Sequence, residues 1–173
     1  MDREVIHEEM RRAGATFHQL LDSATAEDMR RRSDGTRWDN EQLLYHMLFG
    51  YMVVRALLPM VRLFGRLPPG ASRAWARLLD AATRPFDAVN HLGSVAGARV
   101  YGRRRMGAKF DRTLAVLHRR LEAEPDAVLA RTMAFPTRWD PFFKDVMTLE
   151  EVYRYPTRHF DFHRAQLTLG GRS

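Results

Sequence analysis

His159 and His163 stand four residues apart. In a helix that spacing places two imidazoles on one face, with β-carbons roughly 6 Å apart. Two rings so placed can meet one metal ion at about 2.0–2.1 Å each. A third ligand must then come from another element, and His46 offers one. It interrupts the apolar run Leu43-Leu44-Tyr45-His46-Met47-Leu48-Phe49, where a polar group without a partner would be costly. The plainer reading of the three is a hydrogen-bonded core histidine and a pair facing solvent. Asp161, midway between the last two, points to the opposite side of the helix, so the pair is not the adjacent-glutamate motif of zinc proteases. Tyr155, His159, His163 and Gln166 share one helical stripe, and Gln42, His46 and Phe49 share another. Gln42 and Gln166 are placed to orient a histidine or a water. Trp38 and Arg158 are candidates to meet an anionic substrate. No carboxylate is visibly paired with the three histidines, so a general base is missing.

The composition narrows the chemistry. There is no cysteine among 173 residues, which excludes disulfides, thiolate ligands and a cysteine nucleophile. Any sulfur chemistry must use a thiol brought in by a substrate. The net charge of +7 is carried almost wholly by arginine, Lys109 and Lys144 being the only lysines. Such a surface attracts anions. No arginine run is interleaved with aromatics as a single-strand binder requires; a small-molecule substrate or ligand is the expected partner, and an anion or nucleic-acid binder using the arginine surface, with binding lost steeply on adding salt, is a further reading. The first residues lack the apolar stretch of a signal peptide. Residues 43–64 are apolar enough to suggest a membrane span, but His46, Arg55, Pro59 and Arg62 interrupt them. A central arginine costs roughly 2.5–3.5 kcal/mol in a bilayer, so the stretch reads as a buried bundle helix with no membrane span, and the expected location is the cytoplasm.

The elements that must position these residues are helices. Ile6, Met10, Ala13, Phe17 and Leu20 recur at helical spacing and predict a first helix over residues 2–23. Residues 25–36 are polar and end in the turn signal Ser33-Asp34-Gly35. Asp39 and Gln42 form a capping-box pattern that starts a second helix running to about residue 64, with Trp38 placed to staple its first turn and Pro59 expected to kink it. Leu67-Pro68-Pro69-Gly70 is the strongest break in the chain. A shorter helix over 72–83 follows, then an ambiguous stretch, 84–101, holding Pro85, Gly93 and Gly97, which reads as a loop or an irregular helix. Gly102-Arg103-Arg104-Arg105 is a basic turn. Phe110, Leu114, Leu117 and Leu121 mark a helix over 106–123. A proline-marked connection, with a short helix within 126–133, leads to a last helix capped by Thr148 and Glu151, kinked near Pro156 and stopping at Gly170-Gly171. Period-2 alternation is almost lacking, so the fold class is all-α, one domain over 1–173, with four long helices and an inserted segment at about 65–104 between the second and third. His7 and His18 read as surface or boundary residues and His118 as exposed. His91 is a candidate for the pocket.

Two stretches carry a family likeness. Gly35-Thr36-Arg37-Trp38-Asp39-Asn40-Glu41-Gln42-Leu43-Leu44-Tyr45-His46 resembles the start of the second helix in the DinB-like superfamily, where a glycine-aromatic turn leads into a capped helix bearing the first metal histidine. His159-Phe160-Asp161-Phe162-His163-Arg164-Ala165-Gln166-Leu167 resembles the last-helix signature of that superfamily, two histidines four apart followed by a glutamine. The likeness covers roughly 1–64 and 105–169. It implies a four-helix bundle holding one divalent metal, often zinc or nickel, on three histidines, here His46, His159 and His163. Relatives of this kind include S-transferases that use bacillithiol or mycothiol and a mycothiol-dependent isomerase, while many members have no established activity. The resemblance therefore implies a metal-dependent S-transferase with a low-molecular-weight thiol as co-substrate, or a hydrolase. The alternative is a non-catalytic metal or small-ligand binding protein of the same fold, for which the methionines Met47, Met52 and Met60 would suit an adaptable pocket. A homodimer fits a bundle with a long apolar face.

Overall fold

The structure, a computed structural model, describes residues 3–170. The helix start at Asp2 and the second residue of the Gly170-Gly171 stop lie outside them. The described residues form, in order, α1 (Arg3–Ser23), α2 (Ala26–Arg30), α3 (Asn40–Phe64), α4 (Pro69–Ala81), α5 (Thr83–Glu122), α6 (Asp126–Leu129), β1 (Thr132–Ala134), β2 (Val146–Thr148) and α7 (Leu149–Arg164). The fold is all-α apart from one small antiparallel hairpin. There β1 pairs with β2, and Met133 stands opposite Met147.

Local chemistry explains where the helices begin. At α3, the Asp39 side chain accepts from the Gln42 N–H and the Gln42 side chain accepts from the Asp39 N–H. Thr148 and Glu151 do the same at α7. Each box satisfies two amide donors that the first helical turn leaves without partners. A third box, Thr25 with Asp28, starts α2 inside the stretch expected to be only polar turn. Both helices with interior prolines stay continuous: α3 runs through Pro59 to Phe64 and α7 through Pro156 to Arg164. The last helix ends at Arg164 rather than near residue 169.

The ambiguous stretch is helical. Pro85 sits in the first turn of α5, where its missing N–H is no loss. Gly97 lies directly under the Tyr45 phenol: a β-carbon there would stand 2.0 Å from Cζ. Close packing of α5 on α3 thus overrides the weak helix preference of glycine. The expected basic turn survives as a single break at Gly102, whose φ of 56° and ψ of 169° separate two helical halves of α5. Likewise Pro69 opens α4, so that helix begins before residue 72.

The core lies where α1, α3, α5 and α7 meet. Each contributes one aromatic ring, Phe17, Tyr51, Phe110 and Phe160, all at most 1% exposed or fully buried. Phe110 packs edge-on against Phe17 at 4.7 Å and Tyr51 at 4.9 Å between ring centroids, an arrangement that adds about 0.5–1.5 kcal/mol per pair beyond burial. Tyr51 satisfies its hydroxyl on Thr157 Oγ1 at 2.8 Å. This register fixes α3 against α7, and with it the histidines they carry. By length and hydropathy α3 would pass as a membrane span, but here it packs against both α5 and α7.

Histidine is more deeply placed than its neighbours in sequence suggest. His7 is 9% exposed, and its Nδ1 meets His118 Nδ1 at 2.6 Å across α1 and α5. His118, expected to be exposed, is half-buried by that contact. His18 does sit at the boundary, bonded to Asp111 at 2.8 Å.

Candidate metal centre

His46 comes from the second turn of α3, and His159 and His163 from the last turns of α7. The packing brings one ring nitrogen from each within 4.8 Å of the others. The ring centroids stand 4.8, 4.7 and 4.4 Å apart for His46–His159, His46–His163 and His159–His163. His46 and His159 are buried and His163 is half-buried.

Burial acts on all three in one direction. It pushes His46 down to about 3, with the adjacent His163 adding to the effect. His159, wholly enclosed and facing both other imidazoles, is held well below its usual range. His163 is lowered by burial, partly offset by its bond to Gln166. All three are therefore neutral at neutral pH and present lone pairs, the state a metal ligand requires.

Neighbours fix which lone pairs face inward. The Ser94 hydroxyl donates its hydrogen to the Asn90 carbonyl at 2.8 Å, so its oxygen can only accept from His46 Nδ1, 3.3 Å away. Gln166 Oε1 accepts from His163 Nδ1 at 2.6 Å. Both rings thus carry their proton on Nδ1, and the Asn90 side chain also bonds to His46. His159 Nδ1 is buried without a partner and lies against Gly50, where a β-carbon would come within 3.0 Å of it. The absence of a side chain at residue 50 is what lets the His159 ring fit between α7 and α3. Three neutral imidazoles, one with a buried orphan nitrogen, form a donor set that could hold one divalent ion.

The other expected residues separate into those the fold gathers and those it does not. Trp38 is gathered: its ring stacks on His46 at 4.4 Å and faces His163 edge-on. Tyr155 is buried beside His159 and donates its hydroxyl to Asp140 Oδ2 at 2.8 Å. His91 stacks on the outer side of the site against Trp38, at 5.8 Å. Gln42 turns its side chain back to cap α3. Arg158 is exposed and outside the cavity lining.

Asp140 carries no local signal in the sequence. It lies in the β1–β2 connection with its Oδ2 3.7 Å from His159 Nε2, and burial raises its carboxyl above the usual range. With His159 neutral this contact is not an ion pair. Ser94 and Gly50 were also missed. Nothing in residue type or spacing marks an aspartate in a proline-rich connection, or a glycine in an apolar helix, as neighbours of a histidine 19 or 109 positions on.

The histidines border a cavity of about 310 Å³. Its walls are mainly aromatic and aliphatic: Trp38, Phe49, Val53, Leu57, Met60, Trp75, Phe86, Phe135, Trp139, Phe142, Phe143 and Phe162. Trp139 closes one side by stacking on Phe86 at 3.9 Å and donating its indole N–H to the Leu79 carbonyl at 2.8 Å. A second, shallower cleft, lined by Gly35, Thr36, Arg37 and Gln166, shares Trp38, Phe162 and His163 with the cavity.

Four long helices carrying a three-imidazole cluster beside an apolar cavity define the class: an all-helical protein with a site able to hold a metal. The family model of the DinB superfamily matches residues 9–167, and the chain belongs to that superfamily. No curated protein and no solved structure matches it.

Proposed function

We propose that this protein is a metal-dependent transferase that joins a low-molecular-weight thiol to an apolar electrophile. The observation that carries the reading is the junction of three neutral imidazoles with a half-open, mainly aromatic cavity. His46, His159 and His163 would hold one divalent ion, and an all-imidazole set suits zinc or nickel better than calcium or magnesium. When bound, such an ion supplies Lewis acidity that favours the thiolate form of a thiol at neutral pH.

The chain's own residues do the rest. Ser94 and Gln166 hold two imidazoles in one tautomer. The aromatic walls receive an apolar electrophile and keep water from competing with sulfur for it. The cleft with Arg37 offers a polar thiol, such as an anionic one, a way to His163 that does not cross the apolar cavity. Reaction forms one S–C bond, and the electrophile either gives up its leaving group or takes up the proton lost by the thiol. The chain has no cysteine of its own to be alkylated. Such thiols are kept reduced in the cytoplasm, where this activity would operate.

The test is to incubate zinc- or nickel-loaded protein with mycothiol, bacillithiol or glutathione and a haloarene, and to compare the rate with that of His46→Ala. Conjugation should be at least tenfold faster with the wild type for one of the thiols. Equal rates for every thiol would leave the protein a metal or small-ligand binder of the same fold.

A further inference from the structure

The chain carries its charge unevenly. Residues 65–105 hold eight arginines and two aspartates, whereas the rest of the chain holds twenty basic and nineteen acidic residues. Six of the seven net positive charges therefore sit on α4, the first half of α5 and the residues that flank them. All eight arginines are exposed, and among the described residues none of them forms an ion pair with a carboxylate.

The same segment exposes apolar surface. Leu78, Val89, Leu92 and Val100 are each between 59% and 65% exposed, more than any other large apolar side chain among the described residues. At about 100° per residue, Pro85, Ala88, Val89, Leu92, Ala96 and Val100 fall within an arc of about 120° on α5, opposite the buried Ser94 and Ala98. The one charged side chain within that arc is Arg99, whose aliphatic stem can lie on an apolar surface while its guanidinium reaches past it.

We propose that this face docks the protein on the surface of an anionic bilayer, with the α5 stripe at the level of the headgroups and the arginines against lipid phosphates. A bilayer interface uses both features at once: it buries aliphatic side chains and it attracts cations. A nucleic acid would use the arginines but leave Leu78, Val89, Leu92 and Val100 in water, and the aromatic rings of the segment, Trp75, Phe86 and Tyr101, are partly buried rather than free to stack on bases. A second copy of the chain would cover the stripe but set two strongly positive segments against each other. On their inner sides the same two helices supply Trp75, Leu79, Phe86 and Asn90 to the apolar cavity. The wall between that cavity and the lipid is thus a single helix thick. No histidine of the metal centre takes part, so this assignment stands apart from the metal reading.

The experiment is flotation of the full-length protein with vesicles of phosphatidylcholine alone and of phosphatidylcholine and phosphatidylglycerol in equal parts. Sedimentation equilibrium of the free protein and competition by a short DNA duplex run alongside. Wild type should float with the mixed vesicles and not with phosphatidylcholine, and should be released as salt is raised. Leu92→Asp should bind the mixed vesicles about tenfold more weakly or worse, through lost apolar burial, and Arg99→Glu should weaken binding through charge. Val146→Asp, which alters an exposed apolar side chain on β2, should bind as the wild type does. All three substitutions fall on exposed residues, so melting temperatures should hold; Leu92→Ser gives the same comparison if Leu92→Asp melts lower. No flotation with the mixed vesicles, or equal flotation by wild type and Leu92→Asp, would overturn the proposal. DNA that displaces the vesicles and binds Leu92→Asp as tightly as the wild type would assign the arginines to nucleic acid instead. A dimer that Leu92→Asp dissociates would assign the stripe to a second copy of the chain.

Discussion

His46 is held neutral by its surroundings, and that has a consequence for the metal-free protein. Its ordinary value of 6.5 falls to about 3 in the fold, with burial the larger cause, and His159 and His163 move the same way. Between the lowered and the ordinary value, the unfolded chain binds more protons than the folded one. Stability therefore rises with pH across that window and falls as pH drops from about 6.5 toward the lowered values, each histidine contributing a slope approaching ~1.36 kcal/mol per pH unit. Chelator-treated protein should thus lose melting temperature steadily on acidification below pH 6.5, and His46→Asn should flatten the profile; an equally steep profile in that variant would place the proton uptake elsewhere. The histidines themselves were legible in the sequence because a four-residue spacing and a polar break in an apolar run are local patterns. Gln166 was legible for the same reason, lying three residues past His163 on α7. Ser94 and Asp140 were not: they reach the site only through the packing of α5 on α3 and through a connection with no period.

At the scale of elements, α5 shows how tertiary contact decides what propensity leaves open. Gly93 and Gly97 sit four apart in its first half, and from sequence both argue against a helix. They do different work. Gly97 admits the Tyr45 ring, whereas nothing lies within 4 Å of a β-carbon built at Gly93. Alanine at 97 must displace a buried tyrosine and should cost about 1–3 kcal/mol by overpacking. Alanine at 93 meets open space and should stabilise the helix by about 0.5–1 kcal/mol. Opposite shifts in denaturation midpoint for Gly97→Ala and Gly93→Ala would bear this out, and a neutral Gly97→Ala would mean that α5 does not rest on Tyr45. Capping boxes made the starts of α3 and α7 readable because both partners lie within four residues. The Thr25–Asp28 box is just as local, but α2, at five residues, is too short to show a hydrophobic period beside it. The β1–β2 hairpin escaped for a similar reason, since strands of three residues cannot display alternation.

The molecule as a whole places all its tryptophans around one space. The chain has three, and Trp38, Trp75 and Trp139 all line the apolar cavity, though 101 residues separate the first from the last. Bundle architecture could be anticipated from helix count and loop signals, but a cavity assembled from α3, α4, the first half of α5, the β1–β2 connection and α7 could not, because its walls are distant in sequence and share no pattern. The arrangement makes intrinsic tryptophan fluorescence a report on the cavity and, through Trp38, on the adjoining cleft. Trp38 stacks on His46 at the histidine side, and Trp139 closes the wall against Phe86. A planar apolar ligand entering between them should change both intensity and emission maximum, saturably, in metal-free and metal-loaded protein alike. Trp139→Ala removes the closing ring and its bond to the Leu79 carbonyl but touches none of the histidines. It should weaken such a ligand about 10-fold or more, since a buried aromatic contact contributes about 1.5–3 kcal/mol, while leaving metal content per chain unchanged. Loss of metal together with ligand in that variant would show that the wall and the histidine cluster form one cooperative unit; ligand binding as tight as in the wild type would show that the cavity is not where apolar molecules go.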